Sequence, residues 1–306
     1  MKSSKTKNIL FITSTRLGDA VISTGLLNYL LKKYPYASFT IACGPVAAGL
    51  FEAMPQKEKI LIVEKKRFDF HWLILWSKLV WKVWDLIVDL RGSGLSFFLY
   101  AKQKKIIKGG RIKEYRVDYL AKLFNIVPTP LPSVWYGEKD YKLASQTLPN
   151  NHFYIALAPT ANWIGKIWPI DNFIQLAILL KEKYLDVRFV ILYGPGPQEQ
   201  AMAKPLLNAN LPVIDAGGRY TLPQVSALLS RCAGFIGNDS GLMHLASACS
   251  IPVLGLFGPS KISEYAPAGR FSRSIVAKGK EGAGKMSDLS VYDVYNEFIS
   301  LIEQTR

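Results

Sequence analysis

Gly237-Asn238-Asp239-Ser240-Gly241-Leu242-Met243-His244 joins one short apolar run, residues 233–236, to another, residues 245–249. The pattern reads as buried strand, turn and helix. A helix that starts on Asp-Ser-Gly leaves backbone N–H groups unsatisfied in its first turn, and such an end attracts anions. Asp239 and Ser240 also suit a plain N-cap, so an ordinary strand–helix joint explains the stretch equally well by itself. Two other loops bear on the choice. Residues 160–166 end in Lys166, a natural cation for a phosphate. Gly194-Pro195-Gly196-Pro197-Gln198-Glu199 ends in Glu199, a carboxylate able to accept from ribose hydroxyls. Each residue alone is compatible with a solvated loop. Jointly, three such loops at strand ends predict a nucleotide-diphosphate site.

The first half offers one more carboxylate. Asp19 stands at the head of a helix after Thr15-Arg16-Leu17-Gly18. A charge favoured by the helix dipole explains it; so does a general base at the open end of a sheet. Gly92-Ser93-Gly94, after Arg91, is compatible with a plain turn. Neither loop carries the Gly-x-Gly-x-x-Gly dinucleotide fingerprint or a P-loop.

The elements that must position these residues alternate along the chain. Strands are expected over 8–14, 38–43, 59–63, 85–90 and 104–108, the last before Gly109-Gly110, with a helix from Asp19 to about Lys33. A Pro-rich stretch, 127–132, opens a hinge region with one short helix, and the domain boundary is placed near Pro149-Asn150. The alternation then restarts. Strands are expected over 153–158, 187–193, 212–215, 233–236 and 252–257, helices over 171–183, 198–207 and 222–229, and a final amphipathic helix over 290–303. Such alternation implies α/β architecture, two doubly wound parallel sheets with ligands at the carboxyl ends of the strands and a cleft between the halves.

Residues 69–84, DFHWLILWSKLVWKVW, read as a helix with His71, Lys78 and Lys82 on one narrow stripe and an apolar arc around it. Burial against the sheet and an aromatic face resting on a membrane both fit. Lys65, Lys66 and Arg67, then Lys102, Lys104, Lys105, Lys108, Arg111, Lys113 and Arg116, make this half basic.

Across 306 residues, 38 Lys and Arg against 23 Asp and Glu give a net charge of +15, which suits an acidic partner. Hydrophobic content of 49% describes a globular chain long enough for two domains. Cys43, Cys232 and Cys249 fit neither a disulfide framework nor a zinc site and point to a reducing compartment, with Cys232 and Cys249 as small core residues. The basic start, residues 1–8, is followed by too short an apolar run for a signal peptide, and no run of about 18 apolar residues predicts a membrane span. Zinc-finger spacing, a basic heptad helix and an RNA-binding signature are all lacking, so charge alone supports a nucleic-acid reading.

Five stretches, in order, resemble glycosyltransferase family 9, the ADP-heptose:lipopolysaccharide heptosyltransferases. They are Arg16-Leu17-Gly18-Asp19 with the helix start after it; residues 158–169, ending in Lys166-Ile167-Trp168-Pro169; residues 194–199; residues 239–246 with Leu256-Phe257-Gly258-Pro259-Ser260; and residues 286–291. Gly25 stands where the family commonly has proline. The resemblance implies a GT-B fold, with residues 1–150 binding acceptor and 151–306 binding donor, and a last helix that is a candidate to pack back on the first half. It implies Asp19 as general base. Lys166 and the N–H groups around Ser240 and Gly241 would hold the donor diphosphate, Glu199 the adenosine ribose, and Asn162, where family members often have a hydroxyl residue, would belong to the same donor site. Asp239 and His244 would line the donor pocket. Arg16 and Arg91 would meet the acceptor, a phosphorylated acidic glycolipid. The implied reaction is inverting transfer of heptose or a related sugar from an ADP-sugar, with no metal and no cofactor, in the cytoplasm or at the inner face of a bacterial inner membrane. A sugar-nucleotide hydrolase or epimerase on the same scaffold is the alternative.

Overall fold

The computed structural model describes residues 6–107 and 113–305. Lys108, Gly109, Gly110, Arg111 and most of the basic N-terminal stretch lie outside them. Two compact units divide between Trp135 and Tyr136.

The first unit runs β1 (Asn8–Ile12), α1 (Leu17–Lys33), β2 (Ser38–Cys43), α2 (Pro45–Ala48), β3 (Lys57–Ile62), α3 (Phe70–Leu79), β4 (Trp84–Asp89), β5 (Ala101–Ile106) and α4 (Arg116–Lys122). Its five parallel strands lie in the order β3-β2-β1-β4-β5. The chain winds outward from β1 to β3, then returns to place β4 on the other side of β1. That reversal is a topological switch point, where ligands bind in such sheets. Ile12 pairs with Asp89, so the loops after β1 and β4 leave the sheet side by side. Central β1 is apolar and fully buried from Ile9 on, as a strand covered on both faces must be. Within α1, Gly25 lies against the Pro-rich segment: a Cβ there would stand 2.4 Å from Pro130 O. Thr24 clamps the same segment by accepting from Ser133 N at 2.9 Å.

The second unit runs α5 (Glu138–Thr147), β6 (Phe153–Ala158), α6 (Ile170–Lys183), β7 (Val187–Ile191), α7 (Pro197–Leu207), β8 (Val213–Asp215), α8 (Leu222–Leu229), β9 (Gly234–Asn238), α9 (Gly241–Ala248), β10 (Val253–Phe257), α10 (Ile262–Tyr265), β11 (Ser272–Val276) and α11 (Val291–Thr305). Its six-stranded sheet has the order β11-β10-β9-β6-β7-β8, all parallel, with the switch point between β6 and β9.

Several expectations change. The unit boundary precedes Pro149-Asn150 because α5 packs on α8 and Arg231 ties its end down, donating to Leu148 O at 2.7 Å and to Asn150 Oδ1 at 2.5 Å. The final helix packs on α6, β10 and β11 of its own unit. Phe298 and Ile302 of that helix reach the backbone of Gly234, where a Cβ would stand 2.8 Å from the Phe298 ring. Strand β11 is an addition, and β5 starts earlier than 104 because Ala101 pairs with Trp84. The Trp-rich stretch is not one helix: α3 ends at Leu79, and Trp84 opens β4, buried, with its indole N–H donated to Leu79 O at 3.2 Å. His71 leaves the polar stripe and turns inward with Leu75 and Leu79, accepting at Nδ1 from Lys66 N at 3.3 Å. Among the described residues no helix is long and apolar enough to cross a membrane.

Candidate functional site

The second unit's switch point gathers the predicted donor residues. Ala158 pairs with Gly237, so the loops after β6 and β9 emerge together. Asn238, fully buried, fastens them: its amide donates to Pro159 O at 2.9 Å and its carbonyl accepts from Trp168 N at 3.0 Å. Trp168 is buried in turn and donates its indole N–H to Leu289 O at 3.0 Å. The loop between Pro159 and Trp168 is therefore held at both ends, and Lys166 lies inside it.

Lys166 Nζ meets Asp239 Oδ2 at 2.5 Å. Asp239 is 5% exposed and its other oxygen stands 4.0 Å from His244 Nε2. A cation is thus placed against the residue that precedes the α9 N-cap. Ser240 is the N-cap by backbone geometry, yet its hydroxyl makes no capping bond. Its Oγ is buried without a partner, as is Ser260 Oγ after the neighbouring β10. A buried hydroxyl left unpaired costs about 1–3 kcal/mol, so Ser240 at the uncapped start of α9, with Ser260 in the loop after the next strand, suits an oxygen-rich ligand. Ammonium, hydroxyls and free backbone N–H groups are what a diphosphate requires.

Glu199 sits in the first turn of α7. Gly196, at φ +143°, turns the chain from β7 into that helix, and Pro197 occupies its first turn. Glu199 Oε2 accepts from Gly194 N at 2.7 Å and from Thr160 Oγ1 at 2.6 Å. Both donors use one oxygen, which leaves Oε1 as an acceptor for a ligand hydroxyl. Gly194 has no room for a side chain: a Cβ would stand 2.6 Å from that Oε1. The loop is braced by Tyr193, whose hydroxyl donates to Asp215 Oδ1 at 2.9 Å; burial, with that bond, raises the phenol above its ordinary pKa. Thr160 thus joins the lysine loop to the glutamate loop. Asn162 lies in the lysine loop with an exposed side chain. Among the described residues no group of three or more His, Cys, Asp or Glu side chains clusters as metal ligands do.

The first unit's switch point holds the remaining candidates. Asp19 is half-buried in the first turn of α1, and Arg16 is that helix's exposed N-cap. Arg91 follows β4, its guanidinium 5.5 Å from the Trp72 ring. Its loop is shaped by Asp89, a fully buried carboxylate. Asp89 Oδ1 accepts from Arg91 N at 2.8 Å and Gly92 N at 3.0 Å; Oδ2 accepts from Ser93 Oγ at 3.0 Å and Ser96 Oγ at 2.7 Å.

Four positioning residues were given no role by the sequence reading: Asp89, Thr160, Asn238 and Ser260. Asp89 and Asn238 had a visible signal, a polar residue closing an otherwise apolar strand. Thr160 and Ser260 lie in stretches that the sequence singled out, but a hydroxyl in a loop is commonplace and has no assignable partner before the fold is known.

The model of glycosyltransferase family 9 (heptosyltransferase) matches residues 115–289, more than half of the chain. The chain belongs to that family. This glycosyltransferase is 24% identical to lipopolysaccharide heptosyltransferase 2 of Salmonella typhimurium over 97% of this chain and 99% of that one. Its fold matches a glycosyl transferase family 9 structure from Veillonella parvula with a TM-score of 0.83, at 19% identity, over 97% and 98% of the two chains. It also matches Escherichia coli heptosyltransferase WaaC with ADP, TM-score 0.74, at 18% identity over 96% and 99%. The two parallel sheets are those of the GT-B fold.

Proposed function

We propose that this glycosyltransferase transfers heptose, or a related sugar, from an ADP-sugar to a lipopolysaccharide core acceptor, with inversion and without a metal. The observation that carries this reading is Lys166, held against Asp239 at the uncapped start of α9. The names of the relatives, a lipopolysaccharide heptosyltransferase and a heptosyltransferase with bound ADP, support the donor and acceptor classes.

Each residue then has one task. Glu199 Oε1 accepts from the adenosine ribose. Lys166, the α9 N–H groups, Ser240 and Ser260 hold the diphosphate, with Asn162 beside them. Asp239 steadies Lys166 and, with His244, lines the donor pocket. Asp19 takes the proton of the acceptor hydroxyl as its oxygen bonds to the anomeric carbon. The bond from that carbon to the phosphate oxygen breaks on the opposite side, and ADP departs with the electron pair. Charge grows on the leaving diphosphate as this happens, so Lys166 and the helix N–H groups bind the transition state more strongly than the donor, the role a divalent metal would otherwise fill. Arg16 and Arg91 meet the carboxylates and phosphates of the acceptor, a glycolipid held in a membrane leaflet.

The test supplies ADP-heptose and a truncated core acceptor and follows the product's anomeric configuration. Inverted glycoside is expected, with kcat of Asp19→Asn down by about 10²–10⁴ and ADP affinity unchanged. Free heptose or an isomerised donor as the main product would favour the hydrolase or epimerase reading. Undiminished turnover in Asp19→Asn would remove the base assignment.

A further inference from the structure

The first unit exposes an aromatic surface that its own fold does not use. Helix α3 buries His71, Leu75 and Leu79 and turns Phe70 and Leu73 outward. Trp81, in the turn after it, is 90% exposed. Phe97 and Phe98, in the 3₁₀ turn Leu95–Phe98, are 70% and 75% exposed, and Tyr100 follows them, also exposed. These segments form one surface. Trp76 Nε1 donates to Phe98 O at 3.1 Å, and Trp84 N donates to Tyr100 O at 3.2 Å, which sets Tyr100 beside the strand that Trp81 leads into. Apolar patches of this kind on a soluble unit mark an interaction site.

Charge identifies the occupant. Residues 64–82 carry five basic side chains, Lys65, Lys66, Arg67, Lys78 and Lys82, against Glu64 and Asp69. Residues 95–105 carry Lys102, Lys104 and Lys105 and no acid. Lys104 Nζ lies 3.4 Å from Phe97 O, at the edge of the aromatic patch itself. A second copy of the chain would bring the same basic rim against its own kind, which like charges oppose. An anionic bilayer complements both features: aromatic rings enter the headgroup level, and ammonium groups stay at the phosphates.

We propose that this surface of the first unit, Phe70, Leu73, Trp81, Phe97, Phe98 and Tyr100 within a lysine rim, docks the protein on an anionic lipid bilayer without spanning it. The proposal stands on the surface alone and does not depend on the donor or on the transfer reaction.

The test is co-sedimentation of the full chain with vesicles, without substrate. The vesicles are phosphatidylglycerol with phosphatidylethanolamine, or phosphatidylcholine alone. Binding is expected to the anionic vesicles, weakening with salt, with the tryptophan emission shifting blue. Trp81→Ser/Phe97→Ser/Phe98→Ser should bind at least tenfold more weakly. Arg67→Glu/Lys78→Glu should lose more than about fivefold per site, because a reversal exceeds the roughly 1 kcal/mol of removing one charge. All five positions are exposed, and both variants should keep the circular dichroism and melting temperature of the unmodified chain, which separates loss of docking from misfolding. Equal affinity for phosphatidylcholine, no vesicle binding by the unmodified chain, or unchanged binding by the triple-serine variant would overturn the proposal. So would a dimer in sedimentation velocity that the triple-serine variant dissolves while vesicle binding is absent.

Discussion

Lys166 and Asp239 show how a binding site is held ready before its ligand arrives. The pair is 24% and 5% exposed by side chain, so neither charge is well solvated and each needs the other. A donor diphosphate would share the ammonium rather than replace the carboxylate, since Asp239 contacts it with one oxygen and faces His244 with the other. Lys166→Ala is therefore expected to do two things. It should weaken ADP binding about 10- to 100-fold, the worth of charge-assisted hydrogen bonds of roughly 1.5–3 kcal/mol. It should also lower the melting temperature, because Asp239 is left buried without its partner. Adding Asp239→Asn to that variant should restore stability but not binding. Calorimetric titration of ADP, with thermal denaturation of the same samples, separates the two effects; a double variant that regains ADP affinity would show that Lys166 holds Asp239 and nothing else.

At the scale of elements, the switch points do the positioning, and much of this could be read from sequence. The three loops named for the donor do assemble on β6, β7 and β9, since an apolar run followed by Gly, Asp or Pro marks a strand's carboxyl end wherever it occurs. What could not be read was long-range. Residues 69–84 have helical periodicity throughout, but Trp84 is claimed by the sheet through its pairing with Ala101. His71 looks polar by type and is buried by its neighbours. The hinge helix is legible as a helix, but its allegiance to α8 depends on Arg231, more than eighty residues away in sequence. Gly25 is a further case. In the sequence it is a helix-interior glycine; in the fold it is where α1 admits the backbone of Pro130 and Leu131. A Cβ there would stand 2.4 Å from Pro130 O and 2.9 Å from Leu131 C, both backbone atoms that cannot swing aside. Gly25→Ala should thus destabilise by about 1–3 kcal/mol despite alanine's better helix propensity. Chemical denaturation measures this, and a stabilised variant would mean that the Pro-rich segment does not rest on α1.

For the whole molecule, two sheets of the same design carry different chemistry at the same topological place: carboxylate and arginines in the first unit, ammonium, hydroxyls and helix N–H groups in the second. Burial pushes the thiols of Cys43 and Cys232 up to about 12, and that of Cys249 upward as well. The neutral thiols are what the fold stabilises, so the contribution is complete below the unfolded value near 9.0 and is lost as pH rises toward 12. The denaturation midpoint should fall between pH 9 and 12, less so after Cys43→Ala/Cys232→Ala, and these two buried thiols should resist disulfide exchange reagents at pH 8 until the chain is unfolded. Rapid labelling of either in the folded protein would contradict that burial. The proposed transfer requires above all that the second unit be an ADP-sugar site. Titration of ADP-heptose, ADP, UDP-N-acetylglucosamine and GDP-mannose, read as thermal stabilisation, tests it most directly. The adenine nucleotides should raise the melting temperature, by the equivalent of about 2.7 kcal/mol at a hundredfold excess over Kd, and Lys166→Ala should abolish most of the shift. Stabilisation by the uridine or guanosine compounds instead, or by none of the four, would contradict it.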